Sequence, residues 1–195
     1  MARLLIAAKA VVNARTFNNE TALIGAVRSG HTHMVAELLS WKADVGPCGT
    51  KAQTPLHVAA QQDQIGVLHQ LLDAKASANA VDRRRSTPLH EVARTTTVSP
   101  IAIDALLGAK CDPTAQDDEL RTALHVVVTQ ARAFHEHALL LLGDNNNNNN
   151  TALATGVSPL HIRDRCGFTP LQLAVKTGST AYARLLMDAK ASVDD

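Results

Sequence analysis

The strongest constraint on how this chain can fold is a phrase that returns five times. It reads Thr21-Ala22-Leu23, Thr54-Pro55-Leu56-His57, Thr87-Pro88-Leu89-His90, Thr122-Ala123-Leu124-His125 and Thr169-Pro170-Leu171-Gln172. The intervals between the threonines are 33, 33, 35 and 47 residues. A second landmark closes the apolar run that follows each opening: Lys42-Ala43, Lys75-Ala76, Lys110-Cys111 and Lys190-Ala191, with Lys9-Ala10 near the start. From Lys9, Lys42, Lys75 and Lys110 to the next opening threonine the distance is always 12 residues. Two landmarks in phase over this much chain mean a stack of repeated supersecondary units, each too small to bury its own apolar face.

The residue types say what each unit is. A threonine before an apolar run suits a helix N-cap, where its hydroxyl accepts from an orphan amide of the first turn. Pro55, Pro88 and Pro170 then stand at the first helical position, where a missing N–H costs nothing. Leu56, Leu89, Leu124 and Leu171 follow as core residues, and Ala26, Ala59, Ala60, Ala93 and Ala174 allow close helix approach. A second apolar pattern ends in Leu38-Leu39, Leu71-Leu72, Leu106-Leu107 and Leu185-Leu186, so each unit is an antiparallel helix pair followed by an extended segment. The expected fold class is therefore all-α, a repeat solenoid in a single domain over 1–195. Its units are 1–20 (partial), 21–53, 54–86, 87–121, 122–168 and 169–195.

The fourth unit is the long one. Aligning Val157 to Asp164 with Lys75 to Asp82 leaves two extra residues in its helical part and a 12-residue insert, 145–156. Six consecutive asparagines within it read as a surface loop. Ser158-Pro159-Leu160-His161 imitates an opening but stands too close to Thr169, and is assigned to the tail of unit four.

Composition narrows the function. A hydrophobic fraction of 46% supplies a core, and 3% aromatics suits packed helices and offers little for stacking nucleic-acid bases. Nineteen Lys and Arg against 18 Asp and Glu, net charge +1, is not the footprint of a nucleic-acid binder. Cys48, Cys111 and Cys166 are dispersed and odd in number, which fits neither a disulfide framework nor a zinc site, and a reducing, cytoplasmic setting is expected. No apolar run approaches the roughly 20 residues of a membrane span, so no membrane insertion is expected. The start, Met1 to Val12, hints at a targeting peptide, but Lys9 interrupts it and the repeat accounts for it better. His31/His33 and His135/His137 are spaced two apart, which on a helix does not converge on a metal, and they read as solvated surface. No phosphate-cradling glycine loop and no nucleophile with a nearby base is present, so the chain is read as not an enzyme, with no cofactor and no metal. Arg83-Arg84-Arg85 reads as a solvated turn or as a contact for acidic side chains or phosphate.

The 33-residue period and the TPLH-type openings resemble the ankyrin repeat, over nearly the whole chain. Unit two, from Thr54 to Asp82, is the clearest copy. Gly30-His31 resembles the family's lead-in to its second helix, and Asp164 to Leu171 resembles its passage from hairpin to helix. The resemblance implies that each extended segment is a projecting β-hairpin, and that His57, His90 and His125 link adjacent turns. One departure recurs: the family usually places Gly after the second helix, in a left-handed conformation, where this chain has Lys. Left-handed backbone costs a residue with a side chain about 1–2 kcal/mol, of which a cation at a helix C-terminus returns about 0.3–1 kcal/mol.

The resemblance also implies binding of a protein partner through a concave groove of hairpin tips and first helices. Place by place, the hairpin candidates are Lys51, Gln53, Arg83, Arg84, Ser86, Asp118, Glu119, Arg121, Arg165 and Phe168. The first-helix candidates are Gln61, Gln62, Glu91, Arg94, Thr129, Gln130, Lys176 and Thr177. Charge along them is basic near unit three and partly acidic near unit four, which suits a polar partner of mixed sign. A monomeric interaction scaffold is expected. The alternative is a substrate-recruiting or regulatory segment of a larger enzyme such as a kinase or ubiquitin ligase, since both ends of the chain read as cut from a longer array.

Overall fold

The computed structural model describes residues 11–95, 100–130, 135–142 and 158–189. The insert 145–156, Lys9 and Lys190 lie outside the described residues. Helices come in pairs: α1 (Ala22–Arg28) with α2 (Thr32–Ser40), α3 (Pro55–Gln61) with α4 (Ile65–Asp73), and α5 (Pro88–Arg94) with α6 (Pro100–Gly108). The pairs α7 (Ala123–Thr129) with α8 (His135–Leu142), and α9 (Pro170–Lys176) with α10 (Thr180–Asp188), complete the set. Each first helix packs on the next first helix and each second on the next second, giving two layers of helices. The expected all-α repeat solenoid is what forms.

The opening phrase works as its residue types dictate. The Thr54 hydroxyl oxygen accepts from the His57 N–H, while the Thr54 N–H donates back to His57 Nδ1 at 3.1 Å. The Thr87 and Thr122 N–H groups donate to His90 and His125 in the same way, each at 3.2 Å, and Thr169 donates to Gln172 Oε1 at 3.0 Å. Fourth-place His or Gln thus completes a reciprocal cap, occupying the role that Glu or Gln usually takes.

Behind the caps, Leu23, Leu56, Leu89, Leu124 and Leu171 form a buried row along the first helices, with the five small alanines buried between them. Leu38, Leu71, Leu106, Leu141 and Leu186 form the parallel row on the second helices. Counting back from this row corrects the register in unit five: Leu186, not Leu185, is the counterpart of Leu71, and the outward counterpart of Leu72 is the exposed Met187. The helices of unit three keep the lengths of those in unit two, seven and nine residues.

The lysine that follows the second helix is left-handed, with φ of 63° at Lys42, 66° at Lys75 and 59° at Lys110. The surrounding hydrogen bonds define a Schellman end: Ala43 N–H to Leu38 O, Ala76 N–H to Leu71 O and Cys111 N–H to Leu106 O, at 3.0–3.1 Å. Ala43, Ala76 and Cys111 are buried beside those leucines. The apolar residue after each lysine therefore closes the end from inside while the lysine side chain reaches solvent.

The extended segments depart from expectation. Among the described residues no sheet forms, and the sole bridge is Cys48 with Gln53. The other fingers are tighter loops, closed by Asp82 N–H to Ser86 O, Asp117 N–H to Arg121 O and Asp164 N–H to Phe168 O. The cause is an aspartate five residues before Thr87, Thr122 and Thr169. Its Oδ1 accepts two backbone amides, from Arg84 and Ser86, from Glu119 and Arg121, or from Cys166 and Phe168. A side chain thereby does what a second strand would do in a hairpin.

Candidate protein-interaction groove

Fingers and first helices are tied into one wall by two series of hydrogen bonds, the first between successive units and the second from the opening of each unit to its own finger. A backbone amide of each finger donates to the finger before it: Gly49 to Asn19 O, Arg83 to Lys51 O, Asp118 to Arg84 O and Arg165 to Glu119 O, at 2.7–3.0 Å. The second series uses the cap histidines, whose Nε2 atoms donate forward: His57 to Ser86 O at 2.9 Å, His90 to Arg121 O at 2.9 Å and His125 to Phe168 O at 3.1 Å. Nδ1 accepts a backbone N–H and Nε2 faces a carbonyl, so the Nε2–H tautomer is fixed. Burial lowers the pKa of all three imidazoles, against the smaller pull of their carbonyl partners. They are structural ties, held neutral.

An ionic cluster fixes the wall within unit three and joins it to the end of unit two. Asp117, with no side-chain exposure, receives Arg121 Nη2 at 2.9 Å and Arg94 Nη2 at 3.2 Å. Arg94 also pairs with Glu91 at 2.6 Å and donates to Ser86 Oγ at 2.9 Å. Arg121 reaches Glu119 at 3.3 Å. Burial pushes the Asp117 carboxyl upward, but the hydrogen bonds from Arg121 and the backbone outweigh it and leave the pKa below the ordinary value. For Glu91 burial wins and the pKa is raised.

Between these walls run two adjoining grooves of about 370 and about 380 Å³, sharing Thr50, Lys51, Gln53 and Gln61. The structure gathers the candidates Lys51, Gln53, Gln61, Arg83, Arg84, Glu91 and Arg94 into the first, and Gln62 into the second. Others stand differently. Ser86 is fully buried, its carbonyl taken by His57 and its hydroxyl by Arg94, so it belongs inside the finger and not to a contact surface. Glu91 is nearly buried, and with Arg94 and Arg121 it belongs to the ionic cluster, shaping the groove more than offering free charge. Thr129 and Thr177 are exposed but turn their hydroxyls back onto carbonyls of their own helices. Gln130 is the half-buried C-cap of α7. Asp118 and Glu119 are exposed on the third finger, and Arg165 crosses to donate to Asp118 O at 2.7 Å. Lys176 sits 4.1 Å over the Phe168 ring, which brings those two candidates together.

Sequence reasoning missed three sets of residues. The finger aspartates Asp82, Asp117 and Asp164 carried a visible signal, since their distance to the opening threonine stays at five while the period changes. Asn13 and Asn79, each eight residues before an opening, accept from the amides of Asp44 and Asp112 in the next unit, at 2.8 and 2.7 Å. His137, read as solvated surface, is buried within α8. Cys48 and Cys111 are buried thiols whose pKa values burial pushes up, that of Cys111 to about 12. No cluster of three metal-ligating side chains occurs among the described residues. Nor is any described helix long and apolar enough to cross a membrane.

Stacked helix pairs with interlocked fingers and a polar groove define a repeat-solenoid interaction module, a class that generally acts by binding other proteins rather than by catalysis. The family models agree: ankyrin repeats (3 copies) match residues 1–82, and an ankyrin repeat matches residues 166–195. The chain belongs to the ankyrin-repeat proteins. No curated protein matches it.

Proposed function

We propose that this chain is a scaffold that holds a protein partner in the groove between its fingers and first helices, acting as a monomer in a reducing compartment. The observation that carries this is the continuity of the two grooves across Thr50, Lys51, Gln53 and Gln61. Their walls are fixed before any partner arrives, by the histidine ties and the Asp117 cluster. Little ordering entropy is then lost on binding, which is how a modest polar surface reaches useful affinity. Three cysteines outside disulfides, two of them buried, support the reducing setting.

The test is to select binders from a displayed peptide library and measure their affinities for the wild type and two variants. One variant carries Gln61→Ala and Arg83→Ala in the groove; the other carries Ile101→Ala and Met187→Ala on exposed second-helix positions. Groove substitution is expected to weaken most binders about tenfold or more, by losing contacts each worth about 1.4 kcal/mol or more. Binders that respond only to the second-helix variant would overturn the assignment.

A further inference from the structure

Charge in the groove is unevenly satisfied. Its acids are all engaged within the molecule: Glu20 pairs with Arg28 at 2.8 Å, Glu91 pairs with Arg94, and Asp82 Oδ1 holds the amides of Arg84 and Ser86. Three of its cations are not. Lys51, Arg83 and Arg84 are exposed, line the same groove, and make no ion pair among the described residues. The whole chain carries a net charge of only +1, so this local surplus does not reflect general basicity.

From this we infer that the groove of units one to three takes an extended acidic segment of a partner protein, with Asp or Glu carboxylates on Lys51, Arg83 and Arg84. The inference rests on the groove reading and specifies its ligand. The two arginines are adjacent in the second finger and their guanidinium groups can grip a carboxylate bidentately. Lys51 extends from the finger before, tied to the second finger by the Arg83 amide on the Lys51 carbonyl. That bond fixes the register of the two fingers, so the three cations keep their relative places. Gln53 and Gln61 supply neutral polar contacts on the floor. On the next finger the exposed acids Asp118 and Glu119 reverse the sign and end the favourable stretch. A nucleic acid is disfavoured, because three cations beside two exposed acids neutralise few phosphates.

The test measures fluorescence anisotropy of the full chain with labelled peptides of about ten residues, extended at roughly 3.3 Å per residue. The array varies the spacing of Asp and Glu among Gly, Ser and Ala. Its companions are the same peptides with Asn and Gln, the same with phosphoserine, and a single-stranded oligonucleotide. Acidic peptides are expected to bind at least tenfold more tightly than their neutral counterparts, more weakly as salt rises, and to lose at least tenfold on Lys51→Glu, Arg83→Glu and Arg84→Glu together. Circular dichroism verifies that the variant is folded. A charge-matched control, Lys42→Glu, Lys75→Glu and Lys110→Glu, changes net charge equally at the helix ends and is expected to retain most of the affinity.

Equal losses in both variants would reduce the effect to bulk charge and overturn the inference. So would tighter binding of phosphoserine peptides or of the oligonucleotide, or the absence of measurable binding by every acidic peptide. Neutral peptides that bind and lose affinity on groove substitution would refute the acidic ligand while leaving the groove reading standing. Peptides indifferent to the groove variant would refute both.

Discussion

Asp117→Ala is the substitution for which the structure gives the sharpest expectation. Of the three finger aspartates that play the same part toward the backbone, two make the comparison: Asp117 Oδ1 accepts the amides of Glu119 and Arg121, and Asp164 Oδ1 those of Cys166 and Phe168. Only Asp117 adds ion pairs, through Oδ2, with Arg121 and Arg94. Asp164 is half-buried and its loop amides can turn to water, so Asp164→Ala should cost about 1–2 kcal/mol. Asp117 has no exposed side-chain surface, and its removal leaves two partly buried guanidinium groups without their shared acceptor. Both arginines retain over a quarter of their side-chain exposure, at 27% and 28%, and keep Glu91 and Glu119 as partners. The expected cost is therefore about 3–4 kcal/mol, the low end for breaking a buried pair. Urea unfolding followed by far-ultraviolet circular dichroism measures both, provided the denaturant slope is unchanged. A cycle with Arg94→Ala isolates the ionic share, expected at about 1–2 kcal/mol of coupling. If Asp117→Ala costs no more than Asp164→Ala, the ionic cluster contributes nothing and the reasoning fails.

Stability should depend on pH through the three ties. His57, His90 and His125 have lowered pKa values because they are buried, so they stay neutral in the fold while the unfolded chain protonates near pH 6.5. Below that point the unfolded state binds more protons. Stability that is complete above pH 6.5 is lost as pH falls toward the folded pKa values, with three protons, roughly 4 kcal/mol per pH unit, as the upper bound on the slope. Urea midpoints that stay flat from pH 7.5 to 5.5 would contradict this. Lys75→Gly should raise stability by about 1 kcal/mol, since glycine takes φ of 66° without strain and gives up only a modest charge–dipole term. A midpoint that falls would show that the lysine stem covers apolar surface worth more than the strain.

The period, the caps and the buried leucine rows were legible because each depends on residues within a few positions of one another. Thr54 and His57 form their reciprocal cap inside one turn, and Leu56 follows from the same turn. Contacts between the opening helix of a unit and the fingers far along the chain were not legible in this way. Ser86 reads as a polar finger residue, and only the histidine at the opening of its own unit and the arginine of the following helix make it interior. Arg94 and Arg121 read as free charges until Asp117 is placed between them. The Leu185-Leu186 doublet misled for another reason: doublets elsewhere begin with the buried member, whereas here Leu185 stands where Gln70 does in unit two. Within the groove, the sequence identified the cations but could not tell which were already spoken for.

Neighbouring fingers are stitched by amide-to-carbonyl bonds, and such a seam is blind to the side chains that flank it. Lysine at 51, arginine at 83 or acid at 118 can therefore be exchanged for almost anything that tolerates the loop, with the spine left as it was. Selection is free to rewrite recognition one fingertip at a time, and a change of partner need not pass through an unstable ancestor.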